Sequence, residues 1–153
     1  MSLPEIIGLV ANIVTSISIV VVIVELYSNR KDQQVSRLYY LHNYLAAEQF
    51  AQARYHVRHE LESKQYSLWS AQDKIMANLV CASYDQAGVI FSFDLINVKL
   101  GKTFLKSSWG ESICDQYEIL EPFMKDKQTP KKTGVEFFRH FHDLYMQAKQ
   151  IRN

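Results

Sequence analysis

Residues 6–24 read IIGLVANIVTSISIVVVIV, nineteen consecutive positions without a charge. As a helix this run is about 28 Å long, close to the ~30 Å hydrocarbon core of a bilayer. Its six Ile and six Val count against a soluble helix and are tolerated in a membrane one. Pro4 falls in the first turn, where its missing N–H is harmless, and Ser2 and Glu5 have capping-box spacing. A cleaved signal peptide fits poorly, because no Lys or Arg precedes Arg30. All 17 basic residues follow the run, which predicts an outside N-terminus and a cytoplasmic C-terminal side. The run is therefore expected to be a single-pass anchor in the inner (cytoplasmic) membrane. Residues 1–28 form the anchor and residues 29–153 a helical cytoplasmic domain.

One face of the expected span is not greasy. Gly8, Asn12, Thr15 and Ser16 fall within roughly 100° of one another on a helical wheel. Small and polar residues in such a stripe let helices approach and hydrogen-bond in lipid. This face is the expected site of self-association, with Asn12 seeking its own copy.

Composition bounds the rest. The 153 residues are 48% hydrophobic and 22% charged, which excludes wholesale disorder. A net charge of +1 argues against a nucleic-acid binder. Two cysteines make no disulfide scaffold, and no CxxC pair suggests zinc. In a cytoplasmic domain Cys81 and Cys114 read as reduced core thiols.

Past the span the pattern is helical throughout. Val35, Leu38, Tyr39, Leu45, Ala46, Phe50, Ala53, Val57 and Leu61 recur mostly at steps of three and four, with no Gly or Pro between them. The spacing predicts a helix running on directly from the span to about Ser63. A second helix opens at the capping box Ser70–Asp73. Its expected inner stripe is Ile75, Leu79, Ala82, Gln86, Val89, Phe93, Ile96 and Leu100, with Gly101 as the stop. A third opens at Ser108–Glu111, and Pro122 should kink or end it. A basic loop, KDKQTPKK, follows. The last helix opens at Thr133–Glu136 and presents Phe137, Phe138, Phe141, Leu144, Tyr145, Ala148 and Ile151. The fold class is all-α: one N-terminal transmembrane helix followed by a four-helix cytoplasmic bundle.

From Trp69 onward the chain reads W…LVCASYDQAGVIFSFDLI…WGESICDQYEILEPFM…FFRHFHDLY. The turn of helix from Cys81 through Tyr84-Asp85 to Gly88, the pair Trp109-Gly110, the Leu-Glu-Pro-Phe run at 120–123 and the aromatic last helix resemble an uncharacterised bacterial family, the domain-of-unknown-function family numbered 4760. The resemblance covers about half the chain and implies a membrane helix ahead of a helical cytoplasmic domain. The family's usual acidic residue near position 84 stands here one place on, as Asp85. No activity, and so no catalytic residue, is implied.

Candidate chemistry is sparse. His56, His59 and Glu60 share a helix face, but Arg54 and Arg58 beside them disfavour a cation, so a solvated face is expected and no metal. His140 and His142 lie on opposite sides of a helix. Asp85 and Asp94 point half a turn apart, and Asp85 reads as a polar lock against Arg139 or a histidine. Phosphate-cradling glycine loops are absent, so no cofactor is expected. Tyr39, Tyr40, Tyr44 and Tyr55 read as packing residues. Lys125, Lys127, Lys131 and Lys132 are the candidate contact for anionic lipid or an acidic partner.

These readings give a self-associating, membrane-anchored interaction module without catalytic activity. Its expected partners are its own copies, the bilayer and a cytosolic or membrane protein, in bacterial stress or phage defence. The alternative is an enzyme with a polar site inside the bundle, built from Asp85, His56 or His142.

Overall fold

The computed structural model describes residues 3–93, 95–127 and 137–152, with the backbone alone for residues 3–20. Helix α1 covers Leu3–Ala46, α2 Glu48–His56, α3 Ala71–Ser92, α4 Val98–Leu105, α5 Ser108–Lys127 and α6 Arg139–Arg152. A π turn, Val57–Leu61, and a 3-10 turn, Tyr66–Leu68, lie between α2 and α3. The described residues contain no strand. The chain divides into two units, residues 1–36 and residues 37–153.

In the first unit, helix is continuous through the expected span and beyond it. Among the described residues, no helix is long and apolar enough to cross a membrane. The side chains of the expected span, apart from Val21 to Val24, lie outside the described residues, and so does the Gly8, Asn12, Thr15, Ser16 face.

The second unit is a helical bundle around α3, which packs on α2, α5 and α6. Its core includes Leu41, Leu45, Ala53, Val57, Tyr84, Ile113, Leu120, Phe123, Phe141 and Leu144. Four helices were expected, and two further breaks make the bundle richer. The first break is at Ala47, whose backbone is extended (φ −55°, ψ 139°). Tyr44 and Phe50 pack together across it, with ring centroids 4.9 Å apart. The Arg54 guanidinium donates to the freed Leu45 carbonyl at 2.6 Å, capping α1 from the next helix. The second break follows Ser92. Asn97 then caps α4 by accepting from the Leu100 N–H at 2.9 Å. Gly101 is thus buried inside a helix, where an added Cβ would press on the Phe91 ring at 3.2 Å, and it ends nothing.

Two other boundaries differ from expectation, and a third is not among the described residues. Ser107, not Ser108, caps α5, its hydroxyl accepting from the Trp109 N–H at 3.2 Å. Pro122 neither ends nor interrupts α5, which continues to Lys127. Pro122 and Glu118, whose carbonyl loses its helical donor, are both exposed residues, and buried Leu120, Phe123 and Met124 hold the helix down. The Thr133–Glu136 start of the last helix lies outside the described residues.

The inner face of α3 is also not the expected one. Ile75 is exposed, as are Ala82 and Gln86, while Asp73, Ala77, Val80, Cys81, Tyr84, Ala87 and Gly88 are buried. At Gly88 on this face α6 comes too close for any side chain, whereas Tyr84, one turn away, stacks on Phe141 of α6 with ring centroids 5.0 Å apart. A Cβ at Gly88 would overlap the His140 carbonyl and lie 2.9 Å from the His140 Cβ.

Candidate functional site

The most elaborate polar cluster gathers on Asp73. This side chain sits at the start of α3 because Ser70 caps the helix: the Asp73 N–H donates to the Ser70 hydroxyl at 3.1 Å, and the Ser70 N–H donates back to Oδ2 at 2.8 Å. Lys64 Nζ donates to Oδ2 at 2.6 Å, and His56 Nε2 meets Oδ1 at 2.8 Å. The carboxylate is buried while Lys64 and His56 stay partly exposed. The Lys64 ammonium, with Ser70 and His56 behind it, holds the carboxyl well below the usual range against the opposing effect of burial. Nearby, the Trp69 indole N–H donates to the Lys64 carbonyl at 3.1 Å. The cluster therefore ties the end of α2, the loop and α3 together.

This corrects the expectation of a merely solvated histidine face. His56 faces Asp73, whereas His59 is exposed and packs against Tyr55 in a tilted ring contact with centroids 4.2 Å apart. The two histidines do not share a partner. Among the described residues, no group of three or more His, Cys, Asp or Glu is placed to hold a metal ion. His56→Ala should cost about 1–2 kcal/mol in urea unfolding, because it removes a hydrogen bond to a charge. His59→Ala should stay within about 0.5 kcal/mol, as for an ordinary surface site. Equal effects for the two variants would contradict this assignment.

A second network surrounds Trp109. Its indole N–H donates to His42 Nδ1 at 3.1 Å, and the Arg54 guanidinium lies 5.0 Å from its ring centroid. Gln116, wholly buried, donates to the Arg54 carbonyl at 3.1 Å, and its own Oε1 has no partner among the described residues. Beside the network is an open cleft of about 310 Å³, rimmed by Arg54, Arg58, Glu111 and Asp115. Its charges are mixed, and Asp115 engages both Arg58 (3.4 Å) and Arg152 (3.6 Å). Such a rim favours neither an anion nor a cation.

The other candidates fall in separate places. Asp85 is half-buried, and its Oδ1 accepts the Phe141 N–H at 3.1 Å. It caps α6 from outside, in place of the expected contact with Arg139 or a histidine. The residue before α6, Phe138, has φ 59° and no capping side chain of its own. His142 Nδ1 pairs with the Tyr117 hydroxyl at 2.6 Å. His140 Nδ1 pairs with the Ser92 hydroxyl at 3.1 Å. No hydrogen bond joins any two of Asp85, His56 and His142, and Asp94 lies outside the described residues. Cys81 and Cys114 are free and buried. Burial, then the neighbouring Asp85 charge, pushes the Cys81 thiol far up, away from thiolate chemistry. Burial likewise pushes the Tyr84 hydroxyl up to about 12, where it pairs with Ser112 at 2.9 Å.

Of the basic run, Lys125 and Lys127 end α5 instead of starting a loop, and Lys131 and Lys132 lie outside the described residues. Lys125 pairs with Glu121 at 3.0 Å, and Lys127 lies 5.5 Å from the centre of the Phe123 ring. Tyr44 packs inward, but Tyr39, Tyr40 and Tyr55 are exposed, contrary to a packing role for all four.

The chain matches no family model, no curated protein and no solved structure. Assignment of its sites therefore rests on its own geometry. Tyr84, Asp85, Gly88, Trp109 and Gly110 all stand at contacts between helices: an added Cβ at Gly110, for instance, would overlap the Leu105 carbonyl.

Proposed function

We propose that the chain is a membrane-anchored, self-associating helical interaction module without catalytic activity. The observation that carries this reading is at the described end of the apolar run. Val21, Val22, Ile23 and Val24 are helical, consecutive and all about half exposed or more. Successive positions on a helix are 100° apart, so four of them face every direction. A helix apolar all round suits lipid or a bundle of like helices, not one-sided docking on a water-soluble core. With the uncharged run before it, this supports a bilayer span over residues 6–24, with the N-terminus outside and the bundle in the cytoplasm.

Self-association through Gly8, Asn12, Thr15 and Ser16 follows from the need of an amide at membrane depth for a partner. Within the second unit, the exposed Tyr39 and Tyr40 offer a further aromatic surface for self-association. Lys125 and Lys127, exposed at the end of α5, suit an acidic cytosolic partner. The resemblance to the uncharacterised family is part of this proposal, as is a role as an accessory or effector in bacterial stress or phage defence, by analogy with other small single-pass proteins.

The test is made on the full chain. It should resist alkaline carbonate extraction, and it should be oligomeric in mild detergent at micromolar concentration. Asn12→Leu should raise the dissociation constant about 3- to 30-fold, the equivalent of roughly 0.6–2 kcal/mol for an interhelical hydrogen bond. Extraction by carbonate would defeat the membrane reading. A monomeric wild type would defeat self-association.

A further inference from the structure

We infer that the bundle carries a second membrane contact, in which the exposed Phe93, Leu95, Val98, Lys99, Lys102 and Lys106 lie on an anionic bilayer surface. Phe93 and Val98 are 67% and 69% exposed, and Leu95 between them is partly so. Isolated apolar residues on a surface mean little, but these three are close in sequence and adjoin a charged helix face. On α4 and its C-terminal cap Lys106, the positions of Val98, Lys99, Lys102 and Lys106 fall within about 100° of one another. Gly101, Phe104 and Leu105 take the opposite, buried side. The three lysines are exposed, and none forms an ion pair among the described residues. The segment's sequence sets these three lysines against one acid, Asp94. An apolar tip flanked by unpaired cations matches the headgroup boundary of anionic lipid, where apolar side chains insert and lysines meet phosphates.

The fold also puts this tip where the chain enters the bundle. Arg37, the first residue of the second unit, donates to the Leu95 carbonyl at 3.0 Å. Only twelve residues of sequence lie between Val24 and Arg37. Lys125 and Lys127 belong to the other end of the bundle. There the Tyr66 hydroxyl donates to Asp126 at 2.7 Å, and Lys127 shares a surface cleft with Lys74 and Ile75 near the start of α3. The 22 residues of α3 put about 30 Å between the two ends. The inference rests on the anchored reading, and it assigns the lipid contact to α4 in preference to the end of α5.

The experiment uses full-length protein in nanodiscs of phosphatidylglycerol or phosphatidylcholine, with lysine modification followed by mass spectrometry. Lys99, Lys102 and Lys106 should react about 5-fold more slowly in the anionic discs, with Lys125 and Lys127 changing less than about 2-fold. Val98→Asp, at an exposed position that leaves the core intact, should restore most of the rate. Equal rates in both lipids, or slowing at Lys125 and Lys127 instead, would overturn the inference while leaving the anchor intact. Slowing that appears in detergent and grows with protein concentration would also overturn it, by showing that a second copy covers α4. A chain that carbonate extracts from membranes would defeat the anchored reading and this one together.

Discussion

Gly88→Ala should destabilise the bundle by about 2–4 kcal/mol, although alanine is the better helix former by roughly 1 kcal/mol. The added methyl would occupy the space of the His140 carbonyl, which is backbone and cannot rotate away. Helix α6 would have to move off α3, the most extensive helix pairing in the bundle. That movement would also draw the Phe141 N–H from Asp85 and the His140 ring from Ser92. The whole stability of a domain is about 5–15 kcal/mol, so the loss is a large fraction of it. Urea unfolding of the full chain in mild detergent measures it. Asp85→Ala should cost about 1–2 kcal/mol by removing the cap of α6. The double variant should lose less than the sum, because both substitutions loosen one seam. An unchanged midpoint for Gly88→Ala would mean that α6 does not approach α3 this closely.

That seam also shows why the sequence was read correctly in kind and wrongly in detail. Helical periodicity identified every long helix of the bundle and the inner residues of the last one, Phe141, Leu144, Tyr145 and Ala148. On α3 the same logic followed the bulky residues, Ile75 and Leu79, and chose the wrong face. Burial there goes to Ala77, Ala87 and Gly88 along with Val80 and Tyr84, and at Gly88 the His140 backbone leaves no room for a Cβ. A glycine beside two alanines at helical spacing was the available signal. Breaks made by tertiary contact left no local mark. Nothing in Leu-Ala-Ala-Glu at 45–48 ends a helix, and the end at Ala46 is sealed by a guanidinium nine residues on from Leu45. Pro122 is the reverse case, a strong local breaker overridden by buried neighbours on both sides.

The polar sites divide the same way. The box at Ser70 and Asp73 was legible because both partners are local and three residues apart. Lys64 and His56 were not, since they reach the same carboxylate from 9 and 17 residues away. Gln116 offered a signal that went unused. It falls on the helical stripe between Ile113 and Leu120, where a polar side chain must be satisfied inside the core.

Asp73→Asn should lose about 2–3 kcal/mol at neutral pH, the largest effect expected of any single polar substitution in the bundle. The carboxylate serves one ammonium, one imidazole and the amide of Ser70 at once. An asparagine keeps one acceptor oxygen and turns an NH₂ group toward a donor. The loss depends on pH in a definite direction. The folded protein holds the Asp73 carboxyl below its ordinary value, so the unfolded chain takes up the proton first on acidification. The stabilisation is therefore complete above the unfolded value of about 4 and fades as the pH falls below it toward the folded value. Wild type and Asp73→Asn should differ most between pH 6 and pH 8 and converge in strong acid. Lys64→Met, which removes the largest cause of the shift, should show a smaller loss that fades over the same range. A gap between wild type and Asp73→Asn that stayed constant from neutral pH into strong acid would show that the contacts of Asp73 with Lys64, His56 and Ser70 do not depend on its charge.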